Sequence, residues 1–337
     1  MSLKKRFGVA VGLLFGAGLA SANVVYTCDP SVSAPTCTAL NTAIAGLYNS
    51  TFTNANANFY IQYGTTDLGQ STSGFTNQIS YSTYVADLTA EAGPGTVRAG
   101  AIASLPATEP AIYGGAPIDI TSALGTALGI TGLNGTTAGG VECTIGTIGC
   151  YNGIITITND PGTLLFYRNG IIDPTAYDFY SVVEHETDEL LGTASCIDTT
   201  GAALANNCDN SAAAAVDLYR YNGGSRVFID TTPGAYFSYD GGATNGAGGA
   251  LYNTLVNGND YADFISGCPS APRVQDGTAC PGYSGLDITN DGGAEINILD
   301  AVGYNLTPGE TPEPGSIVLC AIGLVGLIGA RSWRRCV

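Results

Sequence analysis

Apolar and polar positions alternate in short bursts along most of this chain and fall at helical spacing in a few longer stretches. The pattern predicts a mixture of helices and strands. Thr36–Tyr48 and Tyr81–Ala92 carry apolar residues close to every 3.6 positions and predict helices, as does Ile120–Leu128. Asn58–Tyr63 (NFYIQY) alternates as a strand does. Gly153–Thr158 (GIITIT) is β-branched and bounded by turn residues; Leu164–Tyr167 follows it after Asp160-Pro161-Gly162, so a hairpin is predicted. A long helix is predicted from near Thr175 to Leu191, with Gly192 placed to end it as a C-cap glycine. Beyond it the pattern shortens to Asp217–Tyr221, Val227–Ile229 and Tyr236–Tyr239, separated by Gly-rich turns, before Glu295–Tyr304 returns to helix. This order predicts an α+β domain: a lobe of sheet and helix, a central helix, and an irregular C-terminal lobe. No Pro- or Ser-rich linker, charge block or repeat divides residues 23–308, so they read as one domain.

Charge changes the picture at the two ends. The chain has 11 Lys+Arg against 28 Asp+Glu, a formal charge of −17, which excludes nucleic acid as a natural partner. Between residues 7 and 330 the basic residues are Arg98, Arg168, Arg220, Arg226 and Arg273, with no Lys. The rest sit at the termini. Lys4-Lys5-Arg6, the apolar run Phe7–Leu19 and Ala20-Ser21-Ala22 have the order of a secretory signal peptide, so residues 1–22 are expected to be removed by signal peptidase. Residues 309–337 carry Pro312-Glu313-Pro314, a short apolar stretch from Gly315 to Ala330 and then Arg331, Arg334 and Arg335. Clustered arginines hold such a segment with its basic end in the cytoplasm, and the body is then stalled outside.

That three-part tail resembles the PEP-CTERM sorting tail, which is also labelled an ice-binding protein C-terminal domain. The resemblance implies a Gram-negative envelope protein with a short transmembrane segment, anchored transiently in the inner membrane and recognised by an exosortase-type sorting enzyme. It implies a final location at the cell envelope, at the outer surface or outside the cell, and says nothing of ice.

The eight body cysteines agree with export. Cys28 and Cys37, Cys143 and Cys150, Cys196 and Cys208, and Cys268 and Cys280 are close neighbours, a spacing that favours four local disulfides in an oxidising compartment, although sequence leaves the connectivity open. No Cys-x-x-Cys is present to support a zinc-cysteine site.

The chemistry gathers around the single histidine, His185, within Glu184-His185-Glu186-Thr187-Asp188-Glu189-Leu190-Leu191-Gly192. On a helix, His185 and Glu189 share a face and can contact one cation, with Glu186 at its edge. A metal site for hydrolysis needs a neutral imidazole, further N or O ligands and a carboxylate to take a proton from water. The alternative is that four carboxylates in six residues form a solvated helix face. The segment resembles the His-Glu-x-x-His helix of the zincin metallopeptidases at Val183, His185, Glu186, Leu190, Leu191 and Gly192. It departs from them in having Glu189 where the second His stands and Ser195 where metzincins place a third. AYDFYSVVEHETDELLGTAS, DLYRYN, AYFSYDGG and EINILDAVGY also resemble, in that order, segments of exported PEP-CTERM metalloprotease-like proteins.

The resemblance implies a zincin-like lobe, Glu186 as general base, and His185 and Glu189 as metal ligands. Asp198 is the nearest downstream carboxylate that could complete the set. Zinc is the implied metal; carboxylate in place of imidazole moves the preference toward manganese or calcium. The expected activity is a metal-dependent endopeptidase acting on protein or extracellular-matrix substrates. The competing reading is a non-catalytic surface or matrix protein on a degenerate zincin scaffold, without metal. Asp287–Glu295 has the oxygen donors and glycines of a calcium loop but not the full EF-hand spacing. No Gly-x-Ser-x-Gly elbow accompanies His185, which argues against serine hydrolysis, and paired body cysteines argue against a cysteine nucleophile.

Overall fold

The computed structural model describes residues 22–308 except 74–76, 94, 109–116, 198–207, 209–211, 229–232, 255–258, 266–267 and 269–271. Of the expected leader all but Ala22, and all of the expected sorting tail at 309–337 with its short apolar segment, therefore lie outside the described residues. No helix among the described residues is long and apolar enough to cross a membrane.

The fold is α+β, with a four-stranded sheet against which the central helix packs. Asn23–Cys28, Asn56–Gly64 and Gly153–Thr158 run parallel, and Gly69–Thr72 closes one edge antiparallel to Gly153–Thr158. The predicted hairpin between Gly153–Thr158 and Leu164–Tyr167 does not form. Gly153–Thr158 is buried along nearly its whole length, as an inner strand must be, and takes its partners from residues far away in sequence. Leu165–Phe166 pairs instead with Tyr177–Asp178. Three further small sheets lie outside the main one.

The predicted helix at Thr36–Tyr48 runs further, from Ala34 to Thr51, with a π turn at Leu40–Ile44. Helices at Tyr81–Ala90, Ser122–Ala127 and Ala294–Val302 lie within the predicted stretches or extend one residue beyond them. Asp217–Tyr221 is only partly strand: Val216–Tyr219 is a 3₁₀ turn and Arg220–Asn222 the strand that follows.

The central helix begins at Phe179, four residues later than its periodicity predicts. Asp173 accepts from Thr175 N and Thr175 Oγ1 and holds that segment in a turn. Asp178 then caps the helix, its Oδ1 accepting from Tyr180 N at 3.1 Å. The helix runs to Asp188 and passes into a π turn at Glu189–Thr193, where Gly192 (φ 114°) takes the positive φ that favours glycine. Tyr304 donates from its hydroxyl to Leu191 O at 2.9 Å, which ties the end of this helix to the segment just after the helix Ala294–Val302. Phe179, Val182, Val183, Leu190 and Leu191 enter one apolar core with Phe59, Ile61, Ile155, Leu40 and Leu299.

All four neighbouring cysteine pairs are disulfides: Cys28–Cys37, Cys143–Cys150, Cys196–Cys208 and Cys268–Cys280. Two of them brace the irregular C-terminal lobe, in which turns and side-chain hydrogen bonds stand in for long ladders.

The body also buries acids away from the cleft, and this sets its pH response. Burial pushes Asp291 up to about 7 and, against the pull of Arg98, pushes Asp300 up to about 6. Their folded-state values lie above the unfolded carboxylate range, so their contribution is complete below about pH 4 and is lost as pH rises through 6 to 7. The urea midpoint of the metal-free protein is expected to fall between pH 5 and pH 8. Asp291→Asn keeps an acceptor for Gly293 N and Ala294 N but cannot titrate, and is expected to remove on the order of 2 kcal/mol of that fall. An unchanged slope in this variant would show that Asp291 is ionised throughout.

Candidate metal centre

The acidic helix segment does not form a solvated face. Glu184 and Asp188 are fully buried and Glu186 is 6% exposed. Each is held by the fold: Tyr48 donates to Asp188 Oδ1 at 2.6 Å, Ile288 N donates to Glu184 Oε2 at 3.2 Å, and Glu186 packs beneath the edge strand.

His185 and Glu189, four residues apart, project toward a cleft of about 990 Å³ that Glu186 also lines. His185 Nε2 lies 3.6 Å from Glu189 Oε1 and 3.6 Å from Asp263 Oδ1. One donor atom from each of these three residues falls within 4.8 Å of the others. The other ring nitrogen, Nδ1, is 2.8 Å from Val274 O. A carbonyl can only accept, so Nδ1 carries the proton, and in the neutral imidazole Nε2 presents its lone pair to Glu189 and Asp263.

The two carboxylates are themselves oriented. Ser71 Oγ on the edge strand donates to Glu189 Oε2 at 2.6 Å, leaving Oε1 toward His185. Asp260 N donates to Asp263 Oδ2 at 3.1 Å, and Asp263 Oδ1 is buried with no hydrogen-bond partner among the described residues. Asp260 is anchored in turn by Ser195 N and Ala262 N. With His185 neutral, its Nε2 lone pair, this buried Asp263 oxygen and the Glu189 carboxylate form a donor set that suits a divalent cation.

Without a cation the electrostatics are those of crowded acids. Burial lowers the His185 imidazole, but Asp263, Glu189 and Glu186 outweigh it and hold the ring well above its ordinary value. Burial and then the Glu189 charge push Glu186 far up. Burial also raises Asp263, to about 7, against the pull of His185. Glu189 moves the other way: burial would raise it, and His185 and the Ser71 hydroxyl bring it below its ordinary value. In this arrangement a protonated His185 takes the place of the counter-ion, and metal binding at Nε2 must release that proton.

Glu186 sits where the edge strand makes room for it. A Cβ at position 69 would run into Glu186 Oε1 and come within 2.7 Å of Val182 Cγ1, so a larger residue fits only if these side chains shift. Gly69→Ala is expected to displace the Glu186 carboxylate, checked by a crystal structure of the variant; an unmoved carboxylate in that structure would contradict the tight fit at this strand.

Of the residues expected from sequence, His185, Glu186 and Glu189 come together at the cleft, while Asp198 lies outside the described residues. Asp263 is the carboxylate placed against His185, and sequence reasoning missed it. It lies 78 residues after His185 in an irregular loop, and no spacing rule links the two. The Asp287–Glu295 segment spends side chains on its own turn and its neighbours: Asp287 pairs with Arg168 at 2.6 Å, Asp291 Oδ1 accepts from Gly293 N and Ala294 N, and Glu295 accepts from Gln275 N.

Compared with known proteins, the chain matches no family model, no curated protein and no solved structure. The functional reading therefore rests on the geometry of the cleft and on the sequence motifs.

Proposed function

We propose that this protein is an exported, metal-dependent endopeptidase of zincin type, with Glu186 as general base and the cation held by His185, Glu189 and Asp263. The observation that carries this reading is the placement of two carboxylate oxygens 3.6 Å from His185 Nε2 while Val274 O fixes the opposite ring nitrogen. One nitrogen and two oxygen donors fit Zn²⁺ and, being harder than a two-histidine set, also fit Mn²⁺. When bound, such a cation supplies Lewis-acid polarisation of a scissile carbonyl and makes water more acidic. Glu186, largely buried but lining the cleft, takes the proton of the attacking water and passes it to the leaving amine. The edge strand Gly69–Thr72 orients Glu189 and makes room for Glu186, and the Asp260–Asp263 loop presents the third donor.

The leader, the four disulfides and the PEP-CTERM-like tail support export, processing by signal peptidase and an exosortase-type enzyme, and action on protein or matrix substrates at the cell envelope, the outer surface or beyond it.

Chelation with EDTA is expected to abolish hydrolysis of an unfolded protein substrate, by at least about 100-fold, with recovery on adding Zn²⁺ or Mn²⁺. Hydrolysis that survives chelation contradicts the proposal. Asp263→Asn is expected to weaken metal binding by at least about 10- to 100-fold, and Asp198→Asn by less than about threefold, both read by titration calorimetry. The reverse order would return the third position to Asp198.

A further inference from the structure

The third donor and the carbonyl that orients His185 come from irregular chain, and the same disulfide lies between or beside them. Cys268 and Cys280 are joined, with Cα atoms 5.7 Å apart. The described part of the loop that they close, residues 272–280, contains no helix or strand. It reaches the candidate centre by two routes. Val274 O accepts from His185 Nδ1 at 2.8 Å, and Gln275 Nε2 donates to His185 O at 3.4 Å, so the loop holds both the ring and the backbone of the histidine. Gln275 O accepts from Phe264 N at 2.6 Å and Gly277 N donates to Phe264 O at 3.1 Å, so the residue next to Asp263 is bracketed from both sides. Gln275 N donates in turn to Glu295 Oε1 on the last helix.

Holding such a loop in one conformation costs backbone entropy at every residue it orders. Among the described residues, burial of Val274, Gln275 and Cys280, the hydrogen bonds named above and the Cys268–Cys280 closure offset it. We propose that Cys268–Cys280 is a positioning disulfide for the candidate metal centre, and that the centre is assembled only once this bond has formed. The two thiols close by exchange with a disulfide-class oxidant: one S–S bond forms in this chain, one breaks in the oxidant, and two electrons and two protons pass to the oxidant as a dithiol. With the thiols reduced, Val274 O leaves His185 Nδ1, the ring loses its fixed orientation, and Asp263 loses the bracket beside it. The centre is then silent in a reducing compartment and competent after export. The link to activity rests on the metal-centre reading above; the positioning of His185 does not.

The single histidine gives a direct readout, because the protein has one imidazole to observe. In nitrogen-15-labelled full chain, NMR is expected to show a slowly exchanging, downfield Nδ1 proton on His185 whether the ring is neutral or protonated. Cys268→Ser/Cys280→Ser is expected to lose that proton and to bind Zn²⁺ or Mn²⁺ at least 10-fold more weakly by titration calorimetry. Cys143→Ser/Cys150→Ser opens a disulfide in a small sheet of which no residue lines the cleft, and is expected to keep the proton and an affinity within about twofold of the parent protein. A protected Nδ1 proton in folded Cys268→Ser/Cys280→Ser overturns the proposal, as does an equal loss in both variants. If the parent protein binds no metal and yet shows a proton that depends on this disulfide, the metal reading falls and the positioning role stands. Should Cys268→Ser/Cys280→Ser fail to fold, the folded parent protein is titrated with a small-thiol reductant. Loss of the proton in step with opening of Cys268–Cys280, mapped by mass spectrometry, supports the proposal, and its persistence after opening overturns it.

Discussion

Glu186→Gln is expected to lower kcat by about 10²- to 10⁴-fold while leaving metal content unchanged. The substitution keeps the size of a side chain whose carboxylate lies close against Gly69. It removes only the ability to take a proton. Burial and the neighbouring Glu189 charge hold this carboxyl far up in the metal-free protein, and a cation at His185 and Glu189 offsets the negative field that does so. Kinetics and metal analysis on the same preparation separate the roles. Lost turnover with retained metal marks Glu186 as the base, whereas loss of both would make it a ligand or a structural acid.

His185→Ala is expected to have the larger effect, abolishing both metal binding and turnover. It removes the one nitrogen donor and leaves Glu189 and Asp263 as like charges facing each other across the vacated space. The parent protein balances those acids with the imidazole, so the variant is also expected to take up a proton on one of them. Metal content after dialysis, with far-UV circular dichroism to establish folding, checks the result. A folded variant that still holds stoichiometric metal would place the binding site elsewhere.

How much of this was legible in the sequence follows from how local each determinant is. The central helix and its glycine stop are written in consecutive residues, and Gly192 takes the positive φ expected of it. The four disulfides join the nearest cysteine neighbours, each separated by 7 to 12 positions. The start of the helix was misplaced because the apolar period continues through Thr175–Asp178 while Asp173 and Asp178 impose a turn and a cap. Gly153–Thr158 was recognisable as a strand but not by its partners, since Asn56–Gly64 lies almost a hundred residues earlier and the turn Asp160-Pro161-Gly162 suggested a nearer one.

At the site, His185, Glu186 and Glu189 were readable from helical spacing alone. Asp263 was not, because what places it beside His185 is a loop with no period, pinned through Asp260, Phe264 and Gln275. The burial of Glu184 and Asp188 was equally hidden. Four carboxylates in six residues read as a wet surface until Tyr48 and Ile288, far away in sequence, supply the hydrogen bonds that keep two of them inside.

The most direct test of the central claim is the metal content of the disulfide-intact protein, measured by inductively coupled plasma mass spectrometry beside its His185→Ala variant. The account predicts close to one zinc or manganese per chain in the first and none in the second. No metal in either protein, with both folded and the preparation exposed to Zn²⁺ and Mn²⁺, would contradict it and leave a non-catalytic scaffold as the better reading.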